Sequence, residues 1–226
     1  MTLSHHTLGL PVATDWSRHD PDFERLVEIC SIHGNSEAFG APMSVRGAKA
    51  GHGARDALAR GYRLGFVGSG DTHNGHPGLG DPFAPLGGVV GIWAEELTRE
   101  SVWKALMDRR VFATSGPRIL LEFEVDGHPM GSTFTAEDPG APRILRVEAH
   151  APFRIERVEI FKNAVAVIDA PVDDLRVAFS IEDLEEANDV DVYYARVRLQ
   201  HDQLAWSSPV WVERSEASAE ARTSPR

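Results

Sequence analysis

The residues with the clearest capacity for chemistry lie in the run Gly68-Ser69-Gly70-Asp71-Thr72-His73-Asn74-Gly75-His76. Glycines at the end of a strand let the backbone approach a ligand closely, and Asp71 and His73, two residues apart, can converge from a turn onto one cation. The alternative for this pair is to hydrogen-bond the turn itself. In His5-His6-Thr7, one imidazole can offer a neutral nitrogen to a metal while the other packs or faces solvent; two surface histidines are the plainer alternative. Glu28 interrupts an apolar run, and His33 follows five residues later; a carboxylate in a buried strand needs a cation or an arginine as partner. Asp15, His76, Glu28 and His33 are the candidates for lining a pocket, with Trp16 as a candidate wall. Ser69 sits between glycines without the spacing of a hydrolase nucleophile elbow, and no phosphate-cradling or dinucleotide fingerprint occurs.

The elements that must position these residues change character along the chain. Up to about residue 115, short apolar strands alternate with helical patterns, the rhythm of a βα architecture. Leu26 to Ser31 reads as a buried strand, Ala54 to Arg60 as a helix stopping at Gly61, and Arg63 to Val67 as a strand running into the glycine turn. Gly88 to Ala94 and Val111 to Thr114 read as further strands, separated by a helix that Thr98 can cap. After Ser115-Gly116-Pro117 the period becomes two: Leu121, Phe123 and Val125 alternate with Glu122, Glu124 and Asp126. Strands are predicted at 144–149, 157–161, 164–168, 175–181, 190–199 and 205–212, a spacing that fits an immunoglobulin-like β-sandwich burying Leu121, Phe123, Tyr193, Ala195 and Val197. The expected organisation is α/β followed by all-β: 1–116, 117–213, and a disordered tail over 214–226.

A formal charge of −11 on 226 residues argues against nucleic acid as a partner, since a carboxylate-rich surface repels phosphates. Cys30 is the only cysteine, which excludes an internal disulfide and a thiolate zinc cluster, so any metal must be held by His, Asp or Glu. No apolar run approaches the roughly 18 residues that span a bilayer, and no signal-peptide pattern opens the chain; no membrane partner and a cytoplasmic location are the expectations for the chain as given.

The runs ALARGYRLGFVGSGDTHNGHPG and GIWAEELTRESVWKALMDRRVFATSGPRILLEFEVDGHPMGS, with His5-His6-Thr7, the Asp15-Trp16 loop and VEICSIHGNSE, resemble a large bacterial family of PHP-like (polymerase and histidinol phosphatase) metallohydrolases. The resemblance implies a distorted (β/α)7 barrel, here only its C-terminal part, with up to three divalent ions of zinc, manganese or iron. It implies that Asp71 and His73 are metal ligands and hence catalytic, and that His6 or His5 matches an earlier ligand. The His-x-His motif that opens such proteins does not occur in this sequence, so the expected partner is a missing N-terminal half and the expected pocket is incomplete. The function these readings imply is metal-assisted hydrolysis of a small-molecule substrate, a phosphoester by preference. The rival is a non-catalytic binding or scaffold protein that uses its β-sandwich.

Overall fold

Backbone chemistry is satisfied in this protein mainly by strand pairing: 46% of the computed structural model is strand and 7% helix. The structure describes residues 1–73 and 87–215. In chain order the elements are β1 (Leu3–Ser4), β2 (Leu26–Ser31), β3 (Gly34–Asn35), α1 (Ala54–Ala59), β4 (Gly65–Gly68), β5 (Val89–Ile92), α2 (Arg99–Met107) and β6 (Val111–Thr114). They continue with β7 (Leu120–Val125), β8 (His128–Pro129), β9 (Thr133–Thr135), β10 (Arg143–Lys162), β11 (Val165–Asp183), β12 (Val190–Leu199), β13 (Leu204–Ser207) and β14 (Val210–Glu213).

The first sheet has four strands built around β2, which pairs in parallel with β1 and β4 and antiparallel with β3. All six residues of β2 are buried, as befits a strand covered on both faces, and this is why Leu-Val-Glu-Ile-Cys-Ser reads as an apolar run rather than an alternation. The second sheet has ten strands in the order β5-β6-β13-β12-β10-β7-β8, with β11 on β10 and β14 joining β12 to β9. Along one side of β10, Leu145–His150 pair with β7 and Ile155–Lys162 pair with β12, while β11 follows the other side throughout. Register shifts between His150 and Ile155 mark where β10 bends, and the sheet curls around that bend.

The expected (β/α)7 barrel followed by an immunoglobulin-like sandwich is therefore corrected to one curled, largely antiparallel sheet with a small mixed sheet against it. The βα rhythm is not realised because α1 and α2, of 6 and 9 residues, are the only α-helices among the described residues, and β5 and β6 pair antiparallel with each other. β6 then continues the large sheet by pairing with β13, Ala113 opposite Trp206. The change of period at Ser115-Gly116-Pro117 falls inside that sheet, where the buried Ser115 hydroxyl donates to Gln203 Oε1 at 2.6 Å. Beyond Ser215, the tail expected to be disordered lies outside the described residues.

Leu121, Phe123, Tyr193, Ala195 and Val197 are all buried, in a core formed inside the curl. A second core forms where the small sheet and α1 meet the outside of the curl, with Val27, Ile29, Leu58 and Phe66 against Phe161, Tyr194, Trp206 and Trp211. Through this contact runs a buried ionic network. Glu37 accepts hydrogen bonds from the Tyr194 hydroxyl at 2.6 Å, Arg196 Nη1 at 2.7 Å and Trp206 Nε1 at 2.9 Å, and it also accepts from Arg55. Arg196 in turn donates to both oxygens of Glu159 at 2.8 Å.

β4, the strand that delivers the glycine turn, runs close to the backbones of β5 and β6. A Cβ on Gly68 would lie 2.7 Å from the carbonyl oxygen of Val89 and 2.8 Å from that of Thr114, neither of which can move without breaking a ladder. Gly68→Ala is expected to lower stability by about 1–3 kcal/mol, the usual cost of overpacking. Denaturant unfolding measures this, and an unchanged midpoint would show that β4 can shift away from β5 and β6.

Candidate metal centre

β1, β2 and β4 are parallel, so the segments that leave their C-terminal ends emerge on the same side. His5 and His6 follow β1, His33 lies in the two-residue turn from β2 to β3, and Asp71 and His73 follow β4. Register supplies the next step. Leu3 is opposite Leu26 and Ser4 opposite Val27, which carries His5 to the level of Glu28. Glu28 Oε1 then accepts from His5 Nδ1 at 2.8 Å and from the His6 backbone N–H at 3.2 Å, while Oε2 accepts from the Ser69 hydroxyl.

Five donor residues converge in front of that buried carboxylate. Asp71 Oδ2 lies 3.2 Å from His5 Nε2 and 2.9 Å from His33 Nε2, and Asp71 Oδ1 lies 3.0 Å from His73 Nε2. The His6 ring stands 3.9 Å from that of His5 and 5.1 Å from that of His33, centroid to centroid. Ligand atoms of His5, His6 and His33, and again of His33, Asp71 and His73, lie within 4.8 Å of one another.

The contacts of Asp71 Oδ2 are not ordinary hydrogen bonds. Among the described residues Asp71 Oδ2 and His6 Nδ1 are buried with no hydrogen-bond partner, although imidazole nitrogens stand about Asp71 at ion-pair distance. The lone pairs are thus near one another without being aimed at one another. Ligands about 2.1 Å from a shared cation are separated by about 3.0 Å at right angles and about 3.4 Å at the tetrahedral angle. The observed 2.9–3.2 Å separations fit that geometry. His6, Asp71 and His73 also hold φ values of 29°, 43° and 57°, a left-handed backbone that costs non-glycine residues energy and collects at functional sites.

The donor set is nitrogen and oxygen only. Burial, reinforced by the charge of Glu28, pushes the Cys30 thiol up to about 12, so it stays protonated and is a poor ligand. Glu28 is best placed to orient rather than to bind: it fixes Nδ1 of His5 as the protonated nitrogen and leaves Nε2 free to face Asp71. Glu28→Gln is expected to weaken zinc or manganese binding by about 10–100-fold, the range for losing a carboxylate behind a ligating histidine. A calorimetric titration of the variant checks this, and parent-like affinity would remove Glu28 from the site.

Of the residues singled out in the sequence, His5, His6, Glu28, His33, Asp71 and His73 come together. Both His5 and His6 belong to the cluster, where the sequence left one of them to pack or face solvent. Asp15 does not join it; its carboxylate is exposed and accepts from the Ser17 backbone N–H at 2.9 Å, a bond that holds its pKa below the ordinary value. Trp16 is a core residue whose Nε1 donates to the His52 carbonyl at 2.9 Å. His76 lies outside the described residues. The partner that sequence reasoning passed over is Ser69, set aside as a nucleophile and found instead on Glu28.

Residues 81–125 match a family described as a protein of unknown function (DUF3604). Over 94% of its length the chain is 29% identical to an uncharacterised protein of Chlamydia pneumoniae. Over 93% it is 28% identical to uncharacterised proteins of Chlamydia trachomatis and of Chlamydia muridarum. The chain spans 39% of the length of these relatives. No helix among the described residues is long and apolar enough to cross a membrane.

Proposed function

We propose that this chain holds divalent metal, zinc, manganese or iron, on two groups that share His33, namely His5, His6 and His33, and His33, Asp71 and His73, and serves metal-assisted hydrolysis of a small phosphoester, in the manner of the PHP-like enzymes its motifs resemble. The observation that carries the reading is the Asp71 carboxylate, flanked by three imidazole Nε2 atoms at 2.9–3.2 Å with Oδ2 buried and left without a hydrogen bond among the described residues. A cation bound there supplies Lewis acidity toward a substrate oxygen. The chain's own residues supply orientation and charge. Glu28 keeps His5 in one tautomer, the Ser69 hydroxyl holds Glu28, and Asp71 gathers the imidazoles that follow three different strands. His5, His33 and His73 are exposed enough for a substrate to reach the cluster from solvent.

The test is hydrolysis of a chromogenic phosphate monoester and diester by the metal-free chain, with and without added manganese or zinc. Turnover that requires metal and disappears in a folded His73→Ala variant is expected. Stoichiometric metal binding with no turnover of either ester would sink the hydrolase reading and leave a metal-binding protein.

A further inference from the structure

We infer that Trp93, Arg110, Glu122 and Glu124 form a second site, separate from the metal centre, that takes a small zwitterion: an α-amino acid of the size of glycine or alanine.

Strand register brings the four residues together. The pairing of β5 with β6 sets Ile92 opposite Val111, and one step further the Trp93 N–H donates to the Arg110 carbonyl at 2.9 Å. Trp93 and Arg110 are thus cross-strand neighbours, whose side chains share a face. The indole is anchored on β7, where its Nε1 donates to the Leu121 carbonyl at 3.0 Å. Glu122 and Glu124 belong to the more exposed face of that strand, since Leu121, Phe123 and Val125 take the buried one. With Pro129 and Met130, these residues line a pocket of about 150 Å³. A cavity of that size accommodates a molecule as large as benzene, about six non-hydrogen atoms.

Charge selects the ligand. Among the described residues Arg110 Nε is buried with no hydrogen-bond partner, and no ion pair joins Arg110 to either glutamate of its own pocket. Glu124 lies 3.7 Å from Arg146 Nη1. Glu122 has no described ion pair and stands opposite Glu148 in the register of β7 with β10, a pairing of like charges that costs stability. A simple anion on Arg110 would sit beside two carboxylates, and a simple cation on the glutamates would sit beside a guanidinium. A zwitterion satisfies both. Its carboxylate matches the guanidinium fork, its ammonium takes the place between the glutamates, and a small side chain meets Trp93, Pro129 and Met130. Gly88, whose N–H donates to the Ser69 carbonyl at 2.7 Å, marks the metal end of β5. A strand rise of about 3.3 Å per residue puts Trp93 roughly 16 Å further along.

The experiment titrates L-alanine into the full chain at low ionic strength with chelator present, followed by calorimetry. Acetate and ethylammonium chloride, which carry one of the two charges each, form separate arms. Saturable binding of alanine at one site is expected, about 10-fold or more tighter than either single-charge compound, and weakened about 10-fold or more in Arg110→Gln and in Glu122→Gln. Neither substitution removes a described side-chain hydrogen bond, so both variants should melt close to the parent without ligand and lose only the alanine-induced rise. No saturable alanine binding by the parent overturns the proposal. So does acetate or ethylammonium binding as tightly as alanine, or alanine binding that either variant keeps in full.

Discussion

Replacing Asp71 with Asn is expected to lower the affinity for zinc or manganese by more than about 100-fold, because substitutions merely behind a ligand already cost about 10–100-fold. Asp71 lies 2.9–3.2 Å from three imidazole Nε2 atoms, and its charge is the only negative one among the five donors. The amide keeps its shape but puts a donor where an acceptor-only group stood. Saturating metal at 100 times Kd raises stability by about 2.7 kcal/mol. The parent should therefore melt higher with metal than without it, and the variant should not. Equal metal-induced shifts in parent and variant would contradict the assignment, whereas a variant that melts early without metal would show a structural role for Asp71 instead.

Glu37→Ala is expected to destabilise the fold by about 3–5 kcal/mol, the cost of leaving buried charges without their partner. Arg55 and Arg196 both converge on Glu37, which is fully buried between the small sheet and the curled one. Its pH dependence has a definite sign. Burial alone raises the Glu37 carboxyl, but Arg55, Arg196 and the hydrogen bonds from Tyr194 and Trp206 outweigh it and hold the group below the ordinary carboxylate value. A depressed folded value means that the contribution is complete above the unfolded pKa of about 4.3 and is lost as pH falls through the folded value. Asp183 adds to the same limb: burial raises its carboxyl, but hydrogen bonds from Lys162, Tyr193 and the Glu185 backbone, with the Lys162 charge, bring it below the ordinary value. Melting followed from pH 6 to pH 2 in chelator should show stability falling below about pH 4.3. Glu37→Gln should start lower and fall less steeply, and a parallel acid limb would place the proton uptake elsewhere.

Local signals in the sequence were legible where one element decides its own conformation. β2 follows from its apolar run, β6 from Val111 to Thr114, and the start of α2 from Thr98, whose side chain accepts from the Ser101 N–H at 3.2 Å. The alternation around Leu121, Phe123 and Val125 gave the correct buried face of β7. Direction and partner were not legible. Nothing local in Val111–Thr114 announces an antiparallel neighbour at Leu204–Ser207, so a βα rhythm was read into what is part of a β-sheet. The strands expected at 144–149 and 157–161 are one strand, β10, which bends through Pro152. Those expected at 164–168 and 175–181 join in β11, which accommodates Pro171 because among the described residues it pairs only with β10 and an outer strand tolerates a missing donor. The centre shows the same division. Asp71 and His73 could be picked out from a glycine turn, but His33 and the orienting role of Glu28 depend on the parallel register of β1, β2 and β4.

The central claim is that these five residues, in two groups that share His33, form a metal centre, and the most direct measurement is X-ray absorption at the zinc edge of the chain loaded with one equivalent of zinc. The account predicts a first shell of nitrogen and oxygen at about 2.0–2.1 Å, outer-shell scattering from at least three imidazoles, and no sulfur at about 2.3 Å. A shell of water oxygens without imidazole scattering, or a sulfur ligand from Cys30, would contradict it.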